Sequence, residues 1–167
     1  VRTNALRTWL KQGASALEAT ALLDAISDGQ ITDSDDELAG LLLSHLYPSS
    51  IKPAALMRYL LVPKDRNLIR NFSWFWSHEL PRSAPAAHLP ILLDQLAERT
   101  DLPSPDAHEF HISRMLDALL ARGLVLHGEQ ISDERLFGWL GIGADKYGNN
   151  RREKEDQQAI ASWLEAH

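Results

Sequence analysis

The chain has 167 residues, a formal charge of −6 and no cysteine. That length can bury a core without staples, and the lack of cysteine excludes disulfides, thiolate metal sites and cysteine nucleophiles. The net negative charge argues against a chain that binds nucleic acid over its whole surface, since phosphate contacts need clustered Lys and Arg.

No apolar run approaches the roughly 20 residues of a membrane span, and no leader-like segment opens the chain, so a cytoplasmic, non-membrane protein is expected. The chain begins at Val1 rather than Met, with helical pattern from near its start to near its end. The expectation is one helical domain cut from a larger protein, with residues 1–100 and 101–167 as candidate sub-units.

Asn4 to Gln12 has the spacing of a short helix with Leu6, Trp9 and Leu10 inward, stopped by Gly13. Ser15 and Glu18 fit a capping box, and the helix behind it runs to about Asp28 with Leu22, Leu23 and Ile26 inward. Gly29 ends it. Asp24, Asp28, Asp33, Asp35, Asp36 and Glu37 then place six acids within fourteen residues. The ligand spacing of an EF-hand is not matched. The expected role is charge on a surface turn, favouring the N-terminus of the next helix.

Asp36 to Leu46 follows the helical spacing through Leu38, Leu41, Leu42, His45 and Leu46, which puts His45 inward or at a seam. Tyr47-Pro48 ends that helix. Pro53 suits the first turn of the next, which carries Leu56, Tyr59 and Leu60 on one face. From Lys52 to Arg70 there are five basic residues, Lys52, Arg58, Lys64, Arg66 and Arg70, against the single acid Asp65.

This basic stretch leads into Asn67 to Leu80, the aromatic helix on which the chain is expected to be organised. Leu68, Phe72, Phe75, Trp76 and Leu80 share one face, to be covered by the Leu-rich helices around residues 38–46 and 89–97. Trp74 falls off that stripe. An off-stripe Trp beside cations is a natural binding anchor, so Trp74, Lys64, Arg66 and Arg70 are the candidate interaction surface. Basic side chains next to aromatics also suit nucleic acid, but most of these rings face inward.

Leu89, Leu92, Leu93, Leu96 and Ala97 continue the pattern to Arg99, with Pro90 in the first turn and the start near Leu89. Asp106 to Arg122 is amphipathic through Ile112, Met115, Leu116, Leu119 and Leu120, and Gly123 is expected to close it. Leu124–Leu126 and Gln130-Ile131 around Gly128 have the pattern of a tiny hairpin. A short helix follows from Ser132 with Leu136, Phe137 and Leu140 inward. Gly138, Gly141, Gly143 and Gly148 make a link without the G-x-x-x-x-G-K-[ST] order of a phosphate loop. The last helix, from about Arg151, docks through Ile160, Trp163 and Leu164.

For chemistry, His108, His111 and Asp106 come nearest to a metal motif, but the two histidines stand three apart rather than the four of H-E-x-x-H. No Ser, His and Asp arrangement stands out. No catalytic residue and no cofactor is therefore assigned, and enzymatic activity is not expected of this segment.

Two resemblances bear on function. Ile112 to Val125, followed by the expected hairpin, resembles the recognition helix and wing of winged-helix DNA-binding domains. That resemblance implies a regulatory DNA-binding module over Ile112 to Ile131, with Arg114 as its contact residue. The second covers more of the chain: Asp36 to Pro48, Ile51-Lys-Pro53, Tyr59-Leu60, Asn67-Leu-Ile69 and Phe75-Trp76. These pieces resemble the helical region beyond the nucleotide-binding module of large bacterial NACHT-type NTPases. The resemblance implies a role in sensing, autoinhibition or assembly through protein contacts, the ATPase motifs lying elsewhere in a parent protein. The expected fold is all-α, a multi-helix array whose short connectors suit a solenoid-like, HEAT- or armadillo-like stack, with at most one tiny β-hairpin.

Overall fold

The computed structural model describes residues 2–64, 70–99, 110–142 and 154–167. The protein is all-α: every regular element among the described residues is helical and none is a strand. The chain forms two compact units, Val1–Glu79 and Leu80–His167.

The first unit holds α1 (Arg2–Lys11), α2 (Ala16–Ser27), α3 (Glu37–Leu46), α4 (Pro53–Leu56) with a 3-10 turn Met57–Tyr59, and α5 (Asn71–Trp74) running into a π-helical turn, Phe75–Glu79. Local chemistry sets these bounds. Gly13 and Gly29 adopt φ of 91° and 75°, the left-handed conformation that glycine enters without a Cβ penalty. The Ser15 hydroxyl accepts from Glu18 N at 3.2 Å while the Glu18 carboxylate accepts from Ser15 N at 3.3 Å, closing the capping box that opens α2. α3 gives way to extended backbone at Tyr47, ahead of a cis bond to Pro48, and Pro53 occupies the first turn of α4.

α3 is the element on which this unit is built, for α1, α2, α5 and the π-turn all pack against it. Its buried side is Ala39, Gly40, Leu42, Leu43 and Leu46. His45, expected inward, is exposed. It lies roughly a third of a turn round from Leu42, Leu43 and Leu46, which the surrounding helices enclose. Gly40 marks the closest approach. A Cβ there would stand 2.1 Å from Phe72 N and 2.3 Å from Asn71 C, so the α3 and α5 backbones touch where only a hydrogen fits. Phe72, Phe75 and Trp76 are buried as the aromatic stripe predicts, Trp76 standing edge-on to both phenylalanines and Phe75 edge-on to Tyr47. Leu68, assigned to the same stripe, lies outside the described residues.

The second unit holds α6 (Leu80–Ser83), a 3-10 turn Ala86–His88, α7 (Leu89–Glu98), α8 (Phe110–His127), a 3-10 turn Gly128–Gln130, α9 (Asp133–Leu140) and α10 (Lys154–Ala166). α8 packs on α6, α7 and α10, and α7 also packs on α9. Pro90 stands in the first turn of α7, which begins at Leu89 as expected. Three carbonyls of the segment before α7 find partners on α8: Arg122 donates to Pro81 O and Ala84 O, and His127 Nε2 lies 2.9 Å from Ala86 O.

The expected hairpin does not form. Leu124 to His127 continue α8, and Gly128–Gln130 form a 3-10 turn instead of a strand. Gly123 accordingly sits inside the helix rather than closing it. Its role is packing, since a Cβ there would stand 2.3 Å from Leu93 Cδ1. Gly128 similarly faces the Trp163 ring of α10, whose Cζ2 would lie 2.4 Å from an added Cβ.

In α9 the expected register is also wrong. Phe137 is 74 % exposed and Trp139 is fully buried. A polar partner decides it: Trp139 Nε1 donates to Asp94 Oδ1 of α7 at 2.8 Å, so the larger ring is buried with its N–H satisfied. Ala97, placed on the inward face of α7, is exposed. Among the described residues no helix is long and apolar enough to cross a membrane.

Candidate interaction surface

The four residues singled out from sequence fare differently. Arg66 lies outside the described residues. Lys64 and Arg70 belong to a network that joins the acidic connector to the basic stretch. Asp36 Oδ2 accepts from Lys64 N at 2.6 Å, and Lys64 Nζ lies 3.1 Å from Asp36 Oδ1 and 2.7 Å from Asp33 O. Arg70 Nη1 is 3.2 Å from Asp35 Oδ2. Glu37 accepts from both Asn71 N and Asn71 Nδ2, at 3.2 and 2.7 Å, which caps the start of α5 from the first turn of α3. Upstream, Arg58 pairs with Asp24, which also accepts from the Tyr59 hydroxyl. Asp24, Asp33, Asp35 and Asp36 on one side and Arg58, Lys64 and Arg70 on the other are thus two halves of one structure.

The acidic connector is therefore not simply a charged surface turn. Asp33 is 3 % and Asp36 8 % exposed. Asp33 Oδ2 accepts from Ala39 N at 2.9 Å and so does the capping of α3, for Asp36 stands in the N-cap position without a side-chain cap bond. Burial pushes the Asp33 carboxyl above the usual carboxylate range. The Ala39 and Leu38 amides pull it partly back, and the nearby charges of Asp36 and Asp35 add to the rise.

Trp74 is 48 % exposed on the first turn of α5. Two residues from the buried Phe72, it projects from nearly the opposite side of the helix. The indole is not loose. It stacks on the His78 imidazole at 4.0 Å between centroids, with the planes 9° apart. His78 is itself buried and held from below: Ser77 Oγ donates to Ser73 O at 2.6 Å and lies 2.6 Å from His78 Nδ1. A hydroxyl has one proton, so with that proton on Ser73 O the Nδ1–H of His78 donates to Ser77 Oγ. Sequence reasoning missed His78. The signal was available, since residues four apart on a helix face each other.

The remaining candidates come together less. Asp106 and His108 lie outside the described residues, and His111 falls in the first turn of α8 with its side chain likewise outside them. Among the described residues no group of three metal-ligating side chains occurs. Arg114 is half-buried on α8 and has a partner within the chain. The wing that its winged-helix resemblance implies is replaced by helix.

Comparison with family models, with curated proteins and with solved structures returns no match. The surface therefore has to be read from its own chemistry. It offers a half-exposed indole stacked on a buried imidazole, while Lys64 and Arg70 already face carboxylates.

Proposed function

We propose that this segment is a non-catalytic helical interaction module, working through protein contacts within a larger cytoplasmic, NACHT-type bacterial NTPase. Trp74 is its anchor, and a solenoid-like stack is the arrangement proposed for its helices. The observation that carries this reading is the Trp74–His78 stack. An aromatic ring half out of water costs little ordering entropy on binding if a buried partner already fixes its rotamer, and such rings are the usual hot spots of protein interfaces.

The alternative, a DNA-binding module over Ile112 to Ile131, has less support. Its helix lies in the unit with nine Lys and Arg against fourteen Asp and Glu, whereas the first unit has eight against nine. Phosphate binding requires the opposite balance. In the first unit Arg58, Lys64 and Arg70 already face carboxylates.

Fluorescence anisotropy with duplex and single-stranded DNA at two salt concentrations separates the readings. No salt-sensitive binding is expected. Tight, salt-sensitive binding lost on Arg114→Ala supports the alternative and rejects the interaction module. The open reading frame supplies a second test, for a Walker motif elsewhere in it is expected. If it is found, binding between this segment and the rest of that protein, weakened at least tenfold by Trp74→Ala, is the expected outcome, a loss of about 1.4 kcal/mol or more.

A further inference from the structure

We propose that residues 61–64 form a strap that Asp36 holds closed over an apolar wall of the first unit, a conformational device independent of what the module binds. The strap leaves the 3-10 turn in extended conformation, Leu60 having φ −77° and ψ 94°. Pro63 has no N–H to give. Among the described residues Leu61 and Val62 make no hydrogen bond, and both are exposed by more than two-fifths. Among the described residues the strap's polar attachment is Lys64, whose backbone N–H and ammonium both reach Asp36, the ammonium reaching Asp33 O as well.

Beneath the strap lies a small apolar pocket of about 40 Å³, partly open to solvent, walled by Leu23 and Ile26 of α2, Ala39 of α3 and Phe72 of α5. Leu61, Val62 and the Asp36–Lys64 pair line its remaining side. The same two charged residues thus hold the strap and border the space that it covers.

Asp36 is itself held in an uncommon state. Its φ of 57° and ψ of 13° are left-handed, the only positive φ at a non-glycine residue among those described. Asp and Asn tolerate that region better than other side chains, yet it persists only where the surroundings over-determine it. Here the fixing groups are Lys64 on one side and the start of α3 on the other. A left-handed residue that carries the polar tether of the described strap residues, over a wall that water would otherwise wet, makes an element with two packings: strap closed with the wall covered, and strap lifted with the wall exposed.

The test uses the full 167-residue chain. Asp36→Asn keeps the shape and the left-handed tolerance but removes the charge. Lys64→Met keeps the stem and the backbone N–H but removes the ammonium. Asp36→Asn is expected to speed hydrogen exchange of the residue-64 amide by roughly tenfold, because its bond to a carboxylate becomes a neutral one. Lys64→Met is expected to speed it by less, because the amide keeps its carboxylate partner and loses the ammonium that holds that carboxylate in place. Both should also raise the emission of a dye that binds apolar surface, while helical circular dichroism stays at the wild-type level. Arg58→Met, which cuts the Asp24 pair without touching the strap, should change neither readout. Wild-type exchange and dye emission in the two tether variants would overturn the strap. So would exchange that accelerates evenly across the first unit, because the tether would then belong to the core.

Discussion

Gly40 and Gly123 both sit inside helices, where glycine costs roughly 1 kcal/mol relative to alanine, and each is there for what it faces. At Gly40 the obstacle is backbone, Phe72 N and Asn71 C, which cannot yield without separating α3 from α5. Gly40→Ala should cost about 3 kcal/mol or more by urea denaturation, or abolish folding of the first unit. At Gly123 the obstacle is the tip of Leu93, which can rotate. There the regained helix propensity offsets part of the clash, and a net loss of about 1 kcal/mol is expected. If Gly40→Ala were the milder of the two, the α3–α5 crossing described here would be wrong. The tryptophans divide in the same way. Trp76→Ala should cost about 3–5 kcal/mol as a buried ring is lost, whereas Trp74→Ala should cost less than about 1 kcal/mol. The burial of Trp76 was legible from its place on the stripe. The crossing at Gly40 was not, because nothing local marks a glycine that a distant backbone will approach.

Between helices, the clamp from α9 to α7 gives a prediction with a definite sign in pH. Asp94 Oδ1 accepts from Arg135 Nε at 2.7 Å and from Trp139 Nε1 at 2.8 Å, while Oδ2 meets Arg135 Nη2. Burial raises the Asp94 carboxyl, but hydrogen bonds from Arg135 and Trp139 and the charge of Arg135 outweigh it and hold the group below its ordinary value. A depressed folded pKa means that the contribution is present above the unfolded value of roughly 3.9 and is lost as pH falls through the folded value. Asp94→Asn should therefore flatten the loss of stability below about pH 4. At neutral pH it should cost about 1–2 kcal/mol, a modest figure because both partners are partly exposed. An acid limb as steep in Asp94→Asn as in the wild type would count against the clamp. Helix existence and most helix starts were legible in the sequence, because caps and prolines act within a few residues: Ser15 with Glu18, Gly13, Gly29, Pro53 and Pro90. Which side of a helix faces inward was less so. His45 and Phe137 fit the spacing, but enclosure of α3 from several sides and the hydrogen bond of Trp139 set the observed registers.

At the scale of the molecule, the acidic connector and the basic stretch look like separate features along the chain, one a charged turn and the other a possible anion site. The fold brings them together across about thirty residues, and the pairing engages Arg58, Lys64 and Arg70, three of the five cations that would be offered to a nucleic acid. No local pattern encodes such a pairing, nor the support that His78 gives to Trp74. A double-mutant cycle between Asp36 and Lys64, with Asp36→Asn, Lys64→Met and the double variant compared by urea denaturation at low and high salt, tests this joining most directly. Because the Lys64 side chain is half exposed, a coupling of about 0.5–1 kcal/mol that shrinks in high salt is expected. Effects that simply add, at both salt concentrations, would contradict it.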